Sequence, residues 1–219
     1  MSADHEYLYA RKQSTYFGAA RTDYVNALPS CGSSRVLEIG CGNGATGAFA
    51  LTHKRAVEWV GIELFQPIAC EAKNSLSHVL IGDVEEMDLP YKHGYFDALV
   101  ASEVIEHLVD PWTLLDKILP LIKPGGRIFA SSPNISNWRV IYGLFGGNFI
   151  YNPLGGVMDE SHLRWFTPTS FEALFTKRNI RRDYLGPIWP ELQPKWQRMF
   201  PERFQYLLWR QINFHGTKL

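Results

Sequence analysis

Apolar positions in the middle of the chain fall into short runs of high β propensity, at 35–39, 58–62, 78–81, 98–101 and 127–131, separated by helical stretches. Strand-length runs alternating with helix-length segments predict βαβ units. The expected fold is therefore α/β, a doubly wound and mostly parallel sheet with flanking helices. Gly40, Glu63, Asp83, Ser102 and Ser132 then all fall at the carboxyl ends of strands. Open sheets of this kind bind ligands beyond that rim.

The flanks differ in pattern. Residues 1–33 read as an N-terminal arm of one or two helices ending before Pro29, with Tyr7, Tyr9, Tyr16 and Phe17 among Arg11, Lys12 and Arg21. Residues 34–219 read as a single domain with a lid-like insertion at 134–166, rich in glycine and aromatics such as Gly143, Phe145, Gly146, Gly147, Phe149 and Tyr151. Long loops of this composition are often lids or binding loops. Thr167 before Pro168 predicts a helix start, the helix running to Lys177. In the tail, Arg181, Arg182, Lys195, Arg198, Arg203 and Arg210 alternate with Tyr184, Trp189, Trp196, Phe200, Phe204, Tyr206 and Trp209. The first expectation there is one or two helices packed on the sheet with solvated basic residues. A peripheral membrane surface and a homodimer contact are the alternatives.

Composition narrows the partners. With 22 basic and 22 acidic side chains the formal charge is zero, so no overall field draws the chain to nucleic acid or to an anionic membrane surface, and only a local basic patch could do so. Cys31, Cys41 and Cys70 are odd in number and lack metal spacing, which suggests reduced thiols and a cytoplasmic location. The sequence contains neither a signal-peptide core at its start nor a run of roughly twenty apolar residues.

The densest chemical signal is Val36-Leu37-Glu38-Ile39-Gly40-Cys41-Gly42-Asn43-Gly44, an apolar strand running into a turn with three alternate glycines. Such a turn permits positive φ and close approach of a ligand, and so predicts a nucleotide-type cofactor. Gly42-Asn43-Gly44-Ala45-Thr46-Gly47 is also a formal dinucleotide fingerprint, but a weak one. Glu63, about twenty residues on, suits ribose hydroxyls under either reading. Glu38 discriminates, because a carboxylate inside an apolar strand is costly without a cation or strong donors.

The segment from Glu38 to Gly44 resembles the first motif of class I S-adenosylmethionine-dependent methyltransferases, the Rossmann-like methyltransferase superfamily. Glu63 is similar to that family's ribose-binding acid, Gly82-Asp83-Val84 to its adenine-contacting turn, and Ile122-Lys123-Pro124-Gly125-Gly126-Arg127-Ile128 to the turn leading into its fifth strand. The resemblance covers roughly residues 34–133. It implies a seven-stranded-type sheet, S-adenosyl-L-methionine as cofactor, and a cofactor site drawn from Glu38, Gly40, Gly42, Gly44, Glu63, Leu64, Asp83, Val84 and Ser102.

Reactivity points to Ser102-Glu103-Val104-Ile105-Glu106-His107. If a helix begins there, Glu103, Glu106 and His107 share one face. The cluster reads as an oxygen-rich metal site, an acid/base group or a polar network. His162 and Arg164, in Asp159-Glu160-Ser161-His162-Leu163-Arg164, form a second patch. Together the patches resemble those of metal-assisted O-methyltransferases acting on quinone precursors and RNA ends, which leaves a divalent ion such as magnesium open. The expected activity is methyl transfer to an oxygen of a small molecule, a sugar or phenol hydroxyl, with His107 or His162 as base. The rivals are a noncatalytic S-adenosylmethionine-binding regulatory partner and a nicotinamide dehydrogenase.

Overall fold

A computed structural model describes residues 18–29, 32–153, 155–188 and 201–219. Seven strands form one sheet: β1 (Ser34–Ile39), β2 (Ala56–Glu63), β3 (His78–Ile81), β4 (Phe96–Ser102), β5 (Ile122–Pro133), β6 (Ile180–Gly186) and β7 (Gln211–Lys218). Their order is β3-β2-β1-β4-β5-β7-β6. β3, β2, β1, β4 and β5 run parallel, while β7 is antiparallel to both β5 and β6. Helices α1 (Thr22–Ala27), α2 (Ala45–Thr52), α3 (Gln66–Ala72), α4 (Pro111–Ile118), α5 (Trp138–Phe145) and α6 (Pro168–Thr176) complete the described elements, apart from short 3-10 turns.

Side chains alternate across the strands, so each face has its own core. Leu37, Ile39, Ile62, Leu99 and Ile128 pack with Leu114, Ile118, Phe171 and Phe175 on one face. Val36, Trp59, Val100 and Phe129 pack on the other with Tyr24 and Val25 of α1. Tyr24 stacks on Phe129 at 5.2 Å, and its hydroxyl donates to Asn213 Oδ1 at 2.8 Å. α1 is thereby anchored to the sheet. The arm residues before it, from Tyr7 to Phe17, and Cys31 lie outside the described residues.

The central strands lie where the apolar runs place them, and α6 begins at Pro168 with Thr167 capping it through Ser170. The tail differs from its first expectation. Its described parts are strands β6 and β7 and a 3-10 turn, Glu202–Leu208, rather than one or two helices. Arg181 and Arg182 are exposed on an edge strand, which fits their solvation. Trp189, Lys195, Trp196, Arg198 and Phe200 lie outside the described residues. No described helix is long and apolar enough to cross a membrane.

Candidate active site

Because β1 and β4 are neighbours while the chain leaves them toward opposite sides of the sheet, a crevice opens beyond their carboxyl ends. A cavity of about 660 Å³ occupies it, a size suited to a cofactor-sized ligand. Gly40, Gly42, Glu63, Leu64, Asp83, Val84 and Ser102 line it, as do Glu38, Glu103, Glu106, His107 and His162. Two residues expected at the rim are elsewhere. Gly44 caps α2 and does not line the cavity, and Ser132 is buried inside β5, with Pro133 lining the wall instead.

The glycine turn follows from backbone geometry. Gly40, Gly42 and Gly44 have φ of 68°, 54° and 83°. A Cβ on Gly40 would sit 2.8 Å from Val104 Cγ2, and one on Gly44 would sit 3.0 Å from Leu76 Cγ. These two glycines thus admit neighbouring protein side chains, a demand added to any made by a ligand. The turn is closed by Glu63, whose two oxygens accept hydrogen bonds from Gly42 N and Phe65 N, each at 2.9 Å. Asp83 Oδ1 accepts from Glu85 N at 3.0 Å. Glu85 in turn accepts from Val109 N and Asp110 N, fastening the loop after β3 to that after β4. Glu85 is thus engaged by backbone, whereas Glu86 and Asp88 are exposed.

Glu38 is buried, and its Oε2 accepts from Trp59 Nε1 at 2.7 Å across the β1–β2 pair. Burial pushes its carboxyl up to about 8, with the Glu63 charge adding to the shift and Trp59, Thr46 and Arg21 opposing it. The carboxyl of Glu38 is thus proton-binding when folded at pH values where the unfolded chain, near 4.5, has already lost the proton. A raised folded value gives stability that is complete below the unfolded value and lost as pH climbs to the folded one. The ligand-free protein should therefore lose of the order of a few kcal/mol between about pH 4.5 and 8 from this group. Glu38→Gln should flatten that slope in melting curves taken across the range, and an unchanged slope would show that Glu38 does not carry it.

Arg21 was expected only as a basic residue of the arm, yet it lines the cavity. Its guanidinium donates to Ser102 Oγ and Ser131 Oγ at 2.7 and 2.8 Å, to both oxygens of Asp23, and to Asn213 Oδ1. Its backbone N donates to Thr46 Oγ1. No local pattern marks it, because its partners are up to 192 positions away in sequence.

The helix expected from Ser102 does not form. Glu103 has φ of 51°, and only a 3-10 turn, Ile105–His107, follows. That splits the expected group. Glu103 turns toward β7, where its Oε2 accepts from Gln211 Nε2 at 2.7 Å. Glu106, His107 and His162 come together instead, with one potential ligand atom from each lying within 4.8 Å of the others. The two patches are joined through backbone: Leu163 N and Arg164 N donate to Glu106 O, and His107 Nδ1 donates to Ser161 O at 3.0 Å. His162 Nδ1 donates to Val157 O at 3.1 Å. Since carbonyls only accept, both imidazoles present Nε2 as the lone-pair nitrogen. Arg164 leaves the site, donating to Val109 O and Leu163 O.

Glu106 is the least compensated group here. Both its oxygens are buried without a hydrogen-bond partner among the described residues, and Glu103 Oε1 is in the same condition. Burial, reinforced by the Glu103 charge, holds the Glu106 carboxyl well above the usual carboxylate range. Around the whole cavity stand the carboxyl groups of Glu38, Glu63, Asp83, Glu85, Glu103, Glu106 and Asp159, several of them held proton-bound by burial and able to ionise against a cation, facing the guanidiniums of Arg21 and Arg210. Such a lining favours a cationic ligand and disfavours a pyrophosphate.

Comparison with known proteins agrees with this geometry. The sequence profile of a family described as a methyltransferase domain matches residues 9–182. The ubiquinone biosynthesis O-methyltransferase of Coxiella burnetii strain RSA 493 is 25% identical over 138 residues, 61% of this chain and 58% of that protein. Its namesake from Xylella fastidiosa strain M23 is 30% identical over 135 residues, covering 59% and 54%. The match thus spans little more than half the length of these curated relatives. Among solved structures, an S-adenosylmethionine-dependent methyltransferase from Mesorhizobium loti aligns with a TM-score of 0.65 at 16% identity, over 92% of this chain and 99% of that one. One from Archaeoglobus fulgidus gives 0.64 at 17% identity, over 90% of each.

Proposed function

We propose, on the premise that this chain belongs to the methyltransferase domain family and is an S-adenosylmethionine-dependent methyltransferase, that it methylates a hydroxyl oxygen of a small molecule, a sugar or a phenol. The observation that carries the reading is the pairing of an acidic cofactor crevice with two imidazoles in its lining whose Nδ1 atoms are fixed by backbone carbonyls. That the Coxiella and Xylella relatives are ubiquinone biosynthesis O-methyltransferases by name supports oxygen as the acceptor atom. The buried carboxyl of Glu38, held by a hydrogen bond from Trp59 at the wall of that crevice, fits a positively charged cofactor. When bound, S-adenosylmethionine supplies a methyl group activated by its sulfonium charge. Glu63 and Asp83 orient the nucleoside, with the backbone of Gly40 and Gly42 beside it. His162 or His107 takes the hydroxyl proton, the general-base role that a positioned imidazole most often fills. The walls exclude water and hold the acceptor in line, which lowers the barrier by several kcal/mol on the usual scale.

A second reading is favoured by the orphaned oxygens of Glu106, which fit a divalent ion held with His107 and His162. Such an ion would lower the pKa of a hydroxyl bound to it. A methyl-transfer screen against sugars, sugar nucleotides, phenols and RNA ends, with magnesium or with chelator, tests both readings. Turnover on a neutral sugar or phenol is expected, and its loss in chelator selects the ion. Turnover confined to amines, carboxylates or RNA ends would overturn the proposal.

A further inference from the structure

Helix α5 and the loop after it break the usual arrangement of an outer helix. A helix on a water-washed surface hides its apolar stripe and shows charges. None of the α5 side chains is buried. Trp138, Tyr142 and Phe145 are spaced i, i+4 and i+7, which puts them on one side, with Tyr142 75% and Phe145 87% exposed. The loop continues the surface with Phe149, Tyr151 and Ile150, the last 73% exposed. From Val140 through Met158 the sequence contains no charged residue. An exposed apolar area of this extent marks an interaction site.

We propose that α5 and its following loop form a membrane-docking surface that seats the protein on an anionic lipid bilayer. Charge decides the occupant. Arg139 extends over the Trp138 ring, its Cζ 5.5 Å from the centroid. The 3-10 turn Glu202–Leu208 is fastened beside the start of α5, because Asn134 Nδ2 donates to Tyr206 O and Asn137 Nδ2 to Trp209 O. That turn brings up exposed Arg203, whose Cζ lies 4.9 Å from the centroid of exposed Phe204. The aromatic ridge is thus flanked by the guanidiniums of Arg139 and Arg203, each laid over a ring, with exposed Glu202 next to the latter in the turn. Tryptophan and tyrosine sit at headgroup level, and arginines beside an apolar helix face are drawn to anionic lipid. A two-fold contact between copies would instead oppose like charges across one self-complementary patch.

Flotation of the full chain with vesicles of phosphatidylcholine, alone or mixed with phosphatidylglycerol, tests the proposal. Binding to the mixed vesicles that weakens in high salt is expected. Phe145→Glu and Tyr142→Glu should each reduce the partition coefficient by at least about tenfold, since each replaces a membrane-buried ring by a charge. Melting temperature and S-adenosylhomocysteine affinity, read in the same preparations, should not move. No flotation with either vesicle, or flotation indifferent to both variants, would overturn it. So would light scattering that shows a dimer dissociated by Phe145→Glu in a protein that leaves vesicles unbound.

Discussion

His162→Ala should lower turnover by about a hundredfold or more while S-adenosylhomocysteine binds as before. The expectation rests on position. His162 Nδ1 is committed to Val157 O, and the residue stands with Glu106 and with His107, whose ring lies 4.8 Å away between centroids. Loss of a general base costs a factor of roughly 10² to 10⁴. Calorimetry with S-adenosylhomocysteine separates this from a damaged crevice, because the cofactor residues belong to other loops. Chelator distinguishes the two roles: sensitivity assigns His162 to an ion, insensitivity to a base. Near-normal turnover by the variant on a verified acceptor would remove His162 from the mechanism.

Glu63→Ala should weaken S-adenosylhomocysteine by about tenfold to a hundredfold. Hydrogen bonds from ribose hydroxyls to a charged carboxylate contribute about 1.5 to 3 kcal/mol. The variant also releases Gly42 N and Phe65 N, so the turn that frames the crevice loosens with it. Glu63→Gln helps divide these effects, since its amide oxygen can still accept one of those bonds. Absence of binding by the wild type, or tight binding of NADH, would overturn the cofactor assignment itself.

The parts of this molecule legible in the sequence are those held by local or periodic demands. β1, β2, β4 and β5 announce themselves because both faces of an interior parallel strand are buried and the runs stay apolar, while the edge strand β3 shows itself by its short Val79-Leu80-Ile81 run. The glycine turn is legible because Gly40, Gly42 and Gly44 need positive φ. β6 and β7 were illegible for the same physical reason in reverse. β6 carries Arg181, Arg182 and Asp183 on an exposed edge, and β7 mixes Gln211, Asn213, His215 and Thr217 into its apolar positions. In the site, Glu106, His107 and His162 could be named from residue type, but the separation of Glu103 could not. It depends on a left-handed backbone and on Gln211, 108 positions downstream. Arg21 stayed hidden because the partners that bring it to the cavity, Ser102, Ser131 and Asn213, are distant in sequence.

The sheet order has a consequence for the order of synthesis. β6 leaves the ribosome before β7, yet its only described strand partner is β7, which inserts between it and β5. Until residues 211–218 emerge, the long edge of β5 and the whole of β6 must wait with unmatched amides. Unpaired edges in a nascent chain invite association with other chains. A stalled or truncated product lacking that last segment should therefore aggregate or be degraded, even though β1 to β5 have already been made.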